Sequence, residues 1–291
     1  MRLVYVHGIR NEGSSSAVIQ RAWTQWIEGA AGGPCGIEAA AVVAPFYGDV
    51  LHALQREVTR PEDAIAQGLG GEDTEAAEFM WSAFEEIAQA AGFSADTIQT
   101  ELARSDVVPM GLTPHDRTLI AMVRRLERLS PLQGRLALRL LGQAHAYLTK
   151  SWVAAEVDAI VTPALTPGEP LVVVGHSLGS VVAYKLLRDF ARRGVARDVR
   201  LFVTVGSPLA IRCVQGALGR PWHRPSGMAC WLNGFALNDF VTLGSGLTDR
   251  TFAPGIENRE VTIPGQDAHA VRRYLSDPAI AGAICEALGG L

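Results

Sequence analysis

The 291-residue sequence predicts an α/β fold, with a mostly parallel sheet of about six strands and a large helical insertion. Short, Val-rich apolar runs bounded by Gly or Pro lie near both ends of the chain, and amphipathic helical patterns separate them. Strands buried on both faces of a parallel sheet have this continuous apolar character. The length is at the upper limit for one hydrophobic core, so one interrupted domain and two modest domains are both open.

Six apolar runs are predicted as strands because each is short and bounded by turn-forming residues. The first begins at Arg2, so the predicted sheet starts with the strand that precedes His7-Gly8. The last stops at Pro264-Gly265, a pair that favours a turn. The predicted strands are Arg2 to Val6, Ala39 to Phe46, Leu171 to Val174, Leu201 to Val205, Ala229 to Leu237 and Arg259 to Ile263.

The segment 49–167 contains helical patterns and no convincing strand. Glu75 to Ala91 and Asp116 to Leu129 each repeat apolar residues at i, i+3 and i+4, and a further helix is predicted to begin at Ser130-Pro131. Glycine-containing stretches at 68–71 and 108–111 are predicted as hinges or loops. We therefore predict an α/β core formed by 1–48 and 168–291, interrupted by a helical cap or lid at 49–167.

The charge pattern argues against nucleic acid as a partner. Lys and Arg total 26 against 30 Asp and Glu, so no global positive field attracts phosphates. Inside the insertion, residues 57–86 hold nine acids and one base, whereas 104–150 hold eight bases and three acids. Two solvated helix faces and a basic surface for an anionic substrate or lipid are both open, so peripheral membrane contact stays an alternative.

The cysteines carry no recognisable spacing. Cys35, Cys213, Cys230 and Cys285 are far apart and form no C-x-x-C pair, so neither a zinc site nor a disulfide framework is indicated and four reduced thiols are expected. No run reaches the roughly 18 apolar residues of a membrane span. The first apolar run is too short for a secretion signal, so we expect a cytoplasmic location.

A candidate catalytic motif lies between a predicted strand and a predicted helix. The buried run leads directly into Gly175-His176-Ser177-Leu178-Gly179, a G-x-S-x-G pattern, and then into an amphipathic helix. The two glycines permit a sharp turn that holds the serine hydroxyl clear of the sheet. At the helix N-terminus, free N–H groups and the helix dipole favour developing negative charge.

This arrangement resembles the α/β-hydrolase superfamily, and its lipase and esterase branch in particular. The resemblance covers 1–48 and 168–291 and leaves the helical insertion unexplained. It implies that Ser177 is a nucleophile on an elbow supported by Gly175, His176 and Gly179. The sheet differs from the usual family pattern, because an initial antiparallel strand pair is missing and the predicted sheet is minimal.

The resemblance also implies an oxyanion hole. His7-Gly8-Ile9 ends the first strand in a way that is similar to the HG-x type of the family, with His7 and Gly8 in support. The implied donors are the backbone N–H groups of Ile9 and Leu178. The later stretch 206–208, Gly-Ser-Pro, is similar to a common family feature near the site and is expected to be structural.

The family order of catalytic groups is serine, acid and histidine. His269 follows the last predicted strand and is the implied general base, while His223, in a Pro-bounded loop, is the rival. Asp239 lies just past the preceding strand and is the implied acid, with Asp249 as the runner-up. Ser177, Asp239 and His269 therefore occur in the order that the fold requires.

The expected function is a serine hydrolase that cleaves a carboxylic ester through an acyl-enzyme, with no metal or organic cofactor. The expected partner is a small-molecule or lipid ester; the oligomeric state is open. An acyltransferase, an amidase or peptidase, and a non-catalytic interaction protein are the alternatives. Four apolar residues of the insertion are expected either to line an acyl tunnel or to form helix–helix core: Phe79, Met80, Trp81 and Phe84.

Overall fold

A computed structural model of the chain contains one sheet of six parallel strands, in the order β2-β1-β3-β4-β5-β6. The structure describes residues 1–9, 11, 13–32, 35–53, 74–104, 114–129, 133–265 and 267–289. The predicted hinges at 68–71 and 108–111 and the predicted helix start at Ser130-Pro131 lie outside these residues. The strands are β1 (Arg2–Val6), β2 (Ala41–Val43), β3 (Leu171–His176), β4 (Val199–Val205), β5 (Met228–Phe235) and β6 (Glu257–Glu260).

The predicted α/β class and the six-stranded parallel sheet are confirmed. Strands β2 and β6 differ most from their predicted bounds, each by three residues at its end. Strand β2 ends at Val43 instead of Phe46, because Pro45 has no N–H to donate to a ladder. Strand β6 begins earlier than predicted and ends before Val261 and Ile263, whose buried side chains follow the ladder. Their hydrophobicity reflects burial after the strand, since β6 itself is an exposed edge strand with a polar sequence.

Helices cover both faces of the sheet. The helices predicted at 75–91 and 116–129 are present within two residues of these bounds. The helices of the described residues are α1 (Ser16–Ala31), α2 (Gly48–Ala53), α3 (Thr74–Ala90), α4 (Ala95–Ala103), α5 (Pro114–Leu129), α6 (Gln133–Thr149), α7 (Ser151–Val161), α8 (Leu178–Arg192), α9 (Arg212–Leu218), α10 (Val271–Leu275) and α11 (Pro278–Ala287).

The side chains of β1 alternate between two hydrophobic clusters on opposite faces of the sheet. Leu3 and Tyr5 belong to the cluster that contains residues of α1, α10 and α11. Val4 and Val6 belong to the other cluster, with residues of α8 and of the helices between β2 and β3. All four side chains are fully buried. Burial on both faces explains why the strand is a continuous apolar run.

The helices between β2 and β3 are packed directly on the core. Phe84 of α3 and Leu140 of α6 are buried in the same cluster as Phe202 of β4. Both helices also contact α9 and the 3-10 turn Phe240–Thr242, which follows β5. This segment therefore reaches the carboxyl end of the sheet. Its role as a separate cap stays a prediction.

The basic part of this segment is partly neutralised by neighbouring acids. Arg128 pairs with the buried Glu101 of α4 at 3.0 Å, and Arg135 pairs with Glu127 of α5 at 2.9 Å. Contact with an anionic lipid or substrate stays a prediction. Within the described ranges, no helix is long and apolar enough to cross a membrane, and no group of three or more His, Cys, Asp or Glu residues is placed to hold a metal ion.

Cys35 and Cys285 form a disulfide, so the expectation of four reduced thiols was wrong for this pair. The two residues are 250 positions apart in the sequence, and no spacing pattern relates them. They meet because Cys35 follows α1, Cys285 lies in α11, and these two helices pack together. Both are buried. Cys213 and Cys230 carry free thiols.

Loss of this disulfide is expected to destabilise the fold, because the cross-link restricts the unfolded chain across a very long loop. In non-reducing buffer, Cys35→Ser is expected to lower the free energy of unfolding by about 2–4 kcal/mol, measured by urea denaturation. Cys230→Ser removes an exposed free thiol and is expected to change it by less than about 0.5 kcal/mol. Equal stability of the native chain with and without a reductant would contradict the prediction.

Candidate active site

The turn between β3 and α8 places Ser177 in a strained backbone conformation. Ser177 has φ 55° and ψ −129°, and positive φ is unfavourable for a residue with a Cβ. A Cβ on Gly175 would lie 2.7 Å from the Cα of Ser180, and one on Gly179 would overlap the carbonyl oxygen of Val6. The glycines therefore permit the close approach of β3, α8 and β1 on which this turn depends.

Three of the predicted residues form one hydrogen-bonded chain. His269 Nε2 lies 2.9 Å from Ser177 Oγ. His269 Nδ1 lies 2.9 Å from Asp239 Oδ2 and 3.1 Å from Oδ1. Ser177 and Asp239 are fully buried and His269 is 3% exposed, so these three hydrogen-bonded side chains are shielded from water. This geometry can move the serine proton to an imidazole that a carboxylate orients.

Asp239 is held by two donors besides the imidazole. The Val241 N–H donates to Oδ1 at 3.0 Å, and the Tyr274 hydroxyl of α10 donates to Oδ2 at 2.6 Å. Burial and the Asp239 charge raise the pKa of Tyr274 well above its usual value, so its proton remains available for donation. Sequence reasoning missed Tyr274, because a tyrosine in a short helix after the histidine loop carries no distinguishing pattern.

His223 and Asp249, the alternatives for the base and the acid, are not part of this hydrogen-bonded series. The backbone of His223 exchanges hydrogen bonds with the Tyr184 hydroxyl of α8, at 3.2 and 3.3 Å. Asp249 is exposed. Within the described part of the protein, no hydrogen bond joins either residue to Ser177 or His269.

His176 supports the histidine loop from the elbow. Its Nε2 lies 2.9 Å from the backbone carbonyl oxygen of His269, to which it donates. Its ring also packs edge-on against Trp23 of α1, with centroids 6.5 Å apart. Burial lowers the pKa of His176 well below its usual value, so the ring is neutral. His176 thus connects the elbow to the loop that carries the predicted base.

A glycine after β4 gives the imidazole and carboxylate room. Gly206 has φ 57°, and a Cβ there would lie 3.2 Å from His269 Cε1 and 3.3 Å from Asp239 Oδ2. The neighbouring Ser207 hydroxyl accepts a hydrogen bond from Ser180 at 2.8 Å. The Gly-Ser-Pro stretch at 206–208 therefore packs against the site, and its purely structural role stays a prediction.

The segments that carry the two predicted oxyanion donors flank the serine. A Cβ on Gly8 would lie 2.7 Å from Ser177 Cβ, so the loop after β1 touches the elbow. Leu178 is the first residue of α8, where an N–H has no acceptor within the helix. The Ile9 N–H also has no hydrogen-bond acceptor among the residues that the structure describes. The role of these two N–H groups as oxyanion donors stays a prediction.

His7 anchors the loop that contains Ile9. Its Nε2 accepts the Tyr47 N–H at 3.2 Å, and its Nδ1 donates to the Gly8 carbonyl oxygen at 2.7 Å. The Tyr47 ring stacks on the His7 ring with centroids 4.1 Å apart, and its hydroxyl donates to the His7 carbonyl oxygen. Burial lowers the pKa of His7 to about 4, so the ring is neutral at neutral pH.

Two comparisons with known proteins give no match. A scan against models of protein families finds no match, and a search of curated proteins finds no similar sequence. The functional assignment of the chain therefore rests on the side chains around Ser177.

Proposed function

We propose that the chain is a serine hydrolase of the α/β-hydrolase type that cleaves a carboxylic ester. The observation that carries the proposal is the hydrogen-bonded series from Ser177 Oγ through His269 to Asp239, on a strained strand-to-helix turn. The parallel sheet supports it, because all three residues follow the carboxyl ends of strands, where ligands bind in open α/β sheets.

In the first half of the reaction, Ser177 Oγ attacks the ester carbonyl carbon while His269 Nε2 accepts the serine proton. The tetrahedral intermediate collapses, the C–O bond to the alcohol breaks, and His269 returns the proton to the leaving alkoxide. A water molecule then attacks the acyl-enzyme while His269 accepts its proton. His269 returns this proton to Ser177 Oγ as the acyl C–O bond breaks, and the carboxylic acid leaves. These steps require no metal or organic cofactor.

The backbone N–H groups of Ile9 and Leu178 are proposed to bind the carbonyl oxygen as it becomes an oxyanion. Removing one such donor typically costs about 100- to 1,000-fold in kcat. Asp239 keeps the proton of neutral His269 on Nδ1, so that Nε2 is free to accept the serine proton, and it stabilises the imidazolium that then forms.

The helices between β2 and β3 are proposed to cap the site. Ser177 is fully buried, so an ester carbonyl reaches Oγ only after a neighbouring segment moves. Helix α3 contacts the turn that follows Asp239, and Glu86 of α3 pairs with Arg212 of α9 at 3.1 Å. Displacement of α3 would therefore break an ion pair with a buried carboxylate.

The apolar side of α3 suggests a lipid or long-chain acyl ester as substrate. Phe79, Met80 and Phe84 are buried in the cluster that continues into the core, and Phe79 packs against His145 at 5.2 Å. They serve as helix–helix core in this conformation, and an acyl chain would occupy space beside them once the cap moves. We therefore expect medium or long acyl chains to be hydrolysed better than acetate.

The proposal predicts that a fluorophosphonate labels the native protein and that Ser177→Ala abolishes the labelling. The same substitution is expected to lower kcat for a p-nitrophenyl ester by about a million-fold, because a triad acts as a unit. Ser151→Ala, which removes an exposed hydroxyl at the start of α7, is the control and should be labelled normally. Labelling that persists in Ser177→Ala, or a native protein that resists labelling, would refute the mechanism.

A panel of acyl esters run on the same proteins tests the substrate class. A flat or inverted dependence on chain length would count against a lipid-like substrate. An acyltransferase would use the same three residues with an alcohol or amine in place of water, and an amidase or peptidase would use them on an amide. Product analysis with an added acceptor, and an anilide substrate, distinguish these alternatives from ester hydrolysis.

A further inference from the structure

Asn11 binds two carbonyl groups of the loop that follows β1. Its Nδ2 donates to the carbonyl oxygen of Gly8 at 3.0 Å and to that of Ile9 at 3.1 Å. Both bonds are local, and Asn11 touches neither Ser177 nor His269 through a hydrogen bond among the described residues. Its side chain nevertheless acts on the peptide unit that contains the Ile9 N–H.

The Gly8 carbonyl oxygen has a second side-chain donor. His7 Nδ1 donates to it at 2.7 Å. The Tyr47 N–H occupies His7 Nε2, so the proton of the neutral ring lies on Nδ1 and is directed at this carbonyl. One carbonyl oxygen is thus held by two side chains, His7 and Asn11, that approach from different positions in the sequence.

This restraint decides where the Ile9 N–H points. In a trans peptide, the C=O of Gly8 and the N–H of Ile9 point in opposite directions. Two donors on the carbonyl therefore keep the N–H on the opposite side of the peptide, where it lacks an acceptor among the described residues. Donation to the carbonyl also polarises the N–H and strengthens the bond that it can make.

The restraint is needed because residue 8 is glycine. The contact with Ser177 leaves no room for a Cβ, but a residue without a Cβ lets the following peptide rotate at low cost. A rotated peptide would direct the Gly8 carbonyl oxygen where the N–H now points, and its negative end would repel an oxyanion. Glycine gives the close approach, and the two donors prevent the rotation that glycine permits.

We infer that Asn11, together with His7, is a positioning residue that holds the Gly8–Ile9 peptide with its N–H directed at the oxyanion. The inference rests on the proposed ester hydrolysis at Ser177 and adds to it the residues that orient one of its two oxyanion donors. Neither side chain contacts the substrate, so neither is a catalytic residue.

Asn11→Ala is expected to lower kcat for a p-nitrophenyl ester about 10- to 100-fold with little change in KM, because the oxyanion contact forms in the transition state. Asn11→Asp, of the same shape but without donors, should lose at least as much. The specific readout is the preference for the ester over its thionoester, in which sulfur accepts hydrogen bonds weakly. Both variants should reduce this preference, whereas a general loss of activity would lower both rates equally.

Asn258→Ala is the matched control, since Asn258 Nδ2 also donates to two loop carbonyls, those of Leu247 and Ile256, but lies on the edge strand β6. It should keep the native ester-to-thionoester preference. Thermal unfolding of every variant identifies any that fail to fold. If Ser177 is labelled by a fluorophosphonate and Asn11→Ala keeps the native kcat and preference, this inference fails and the proposed hydrolase stands. If Ser177 is not labelled, the hydrolase itself fails.

Discussion

Asp239→Asn is expected to lower kcat by about 10,000-fold while the protein stays folded. An asparagine amide in this place donates to His269 Nδ1, which leaves the imidazole proton on Nε2. That nitrogen is the one 2.9 Å from Ser177 Oγ, and once protonated it cannot accept the serine proton. Steady-state ester hydrolysis measures the loss.

Asp249→Asn is the control for this substitution, because Asp249 is exposed on the loop before β6. It should hydrolyse esters at the native rate. Circular dichroism of the Asp239→Asn protein distinguishes a wrong tautomer from a misfolded protein. The Val241 N–H can still donate to an amide oxygen in the place of Oδ1, and the Tyr274 hydroxyl can accept from an amide nitrogen in the place of Oδ2. A folded Asp239→Asn protein that retained more than a tenth of the native kcat would remove Asp239 from the mechanism.

Gly179→Ala is expected to cost about 3 kcal/mol of stability, at the upper end of the usual range for overpacking. The new methyl group would overlap the carbonyl oxygens of Val6 and His7. These are backbone atoms at the end of β1, a strand paired on both sides, so they cannot move without disturbing the sheet. Urea denaturation measures the loss.

Gly282→Ala is the matched control, because Gly282 is also a helical glycine but nothing lies within 4 Å of a Cβ built there. Alanine in the middle of α11 should stabilise the protein by about 0.5–1 kcal/mol through its higher helix propensity. The pair of substitutions therefore has opposite expected signs. Equal effects of the two would mean that β1 and α8 are not in the close contact described.

The sequence predicts the parts of the fold that depend on local pattern. All six strands begin within two residues of their predicted start, and the five other than β6 are recognisable as apolar runs because they are buried. Strand β6 differs from the other five strands in the polarity of its residues. Its ladder residues are polar and exposed, and the apolar residues that suggested a strand are buried after the ladder ends.

The site divides in a similar way. Ser177 has a local motif, and the family resemblance implies Asp239 and His269 through their order after successive strands. The structure joins these three residues by hydrogen bonds. Tyr274 and Asn11 have neither a local motif nor a position that the order of strands would single out. Each acts through a hydrogen bond to a neighbour of the reacting atoms, and a common residue type at an unmarked position reveals nothing of that contact. The disulfide between Cys35 and Cys285 could not be predicted from the sequence for the same reason.

The polar character of β6 affects how the protein behaves at high concentration. An unpaired edge strand offers free N–H and C=O groups to another chain, which is a common route to aggregation. All four residues of β6 are exposed, and three of them, Glu257, Arg259 and Glu260, carry charge. Addition of a foreign strand would bring these charges into a drier environment, so the sheet resists extension at this edge and any self-association is expected to use another surface.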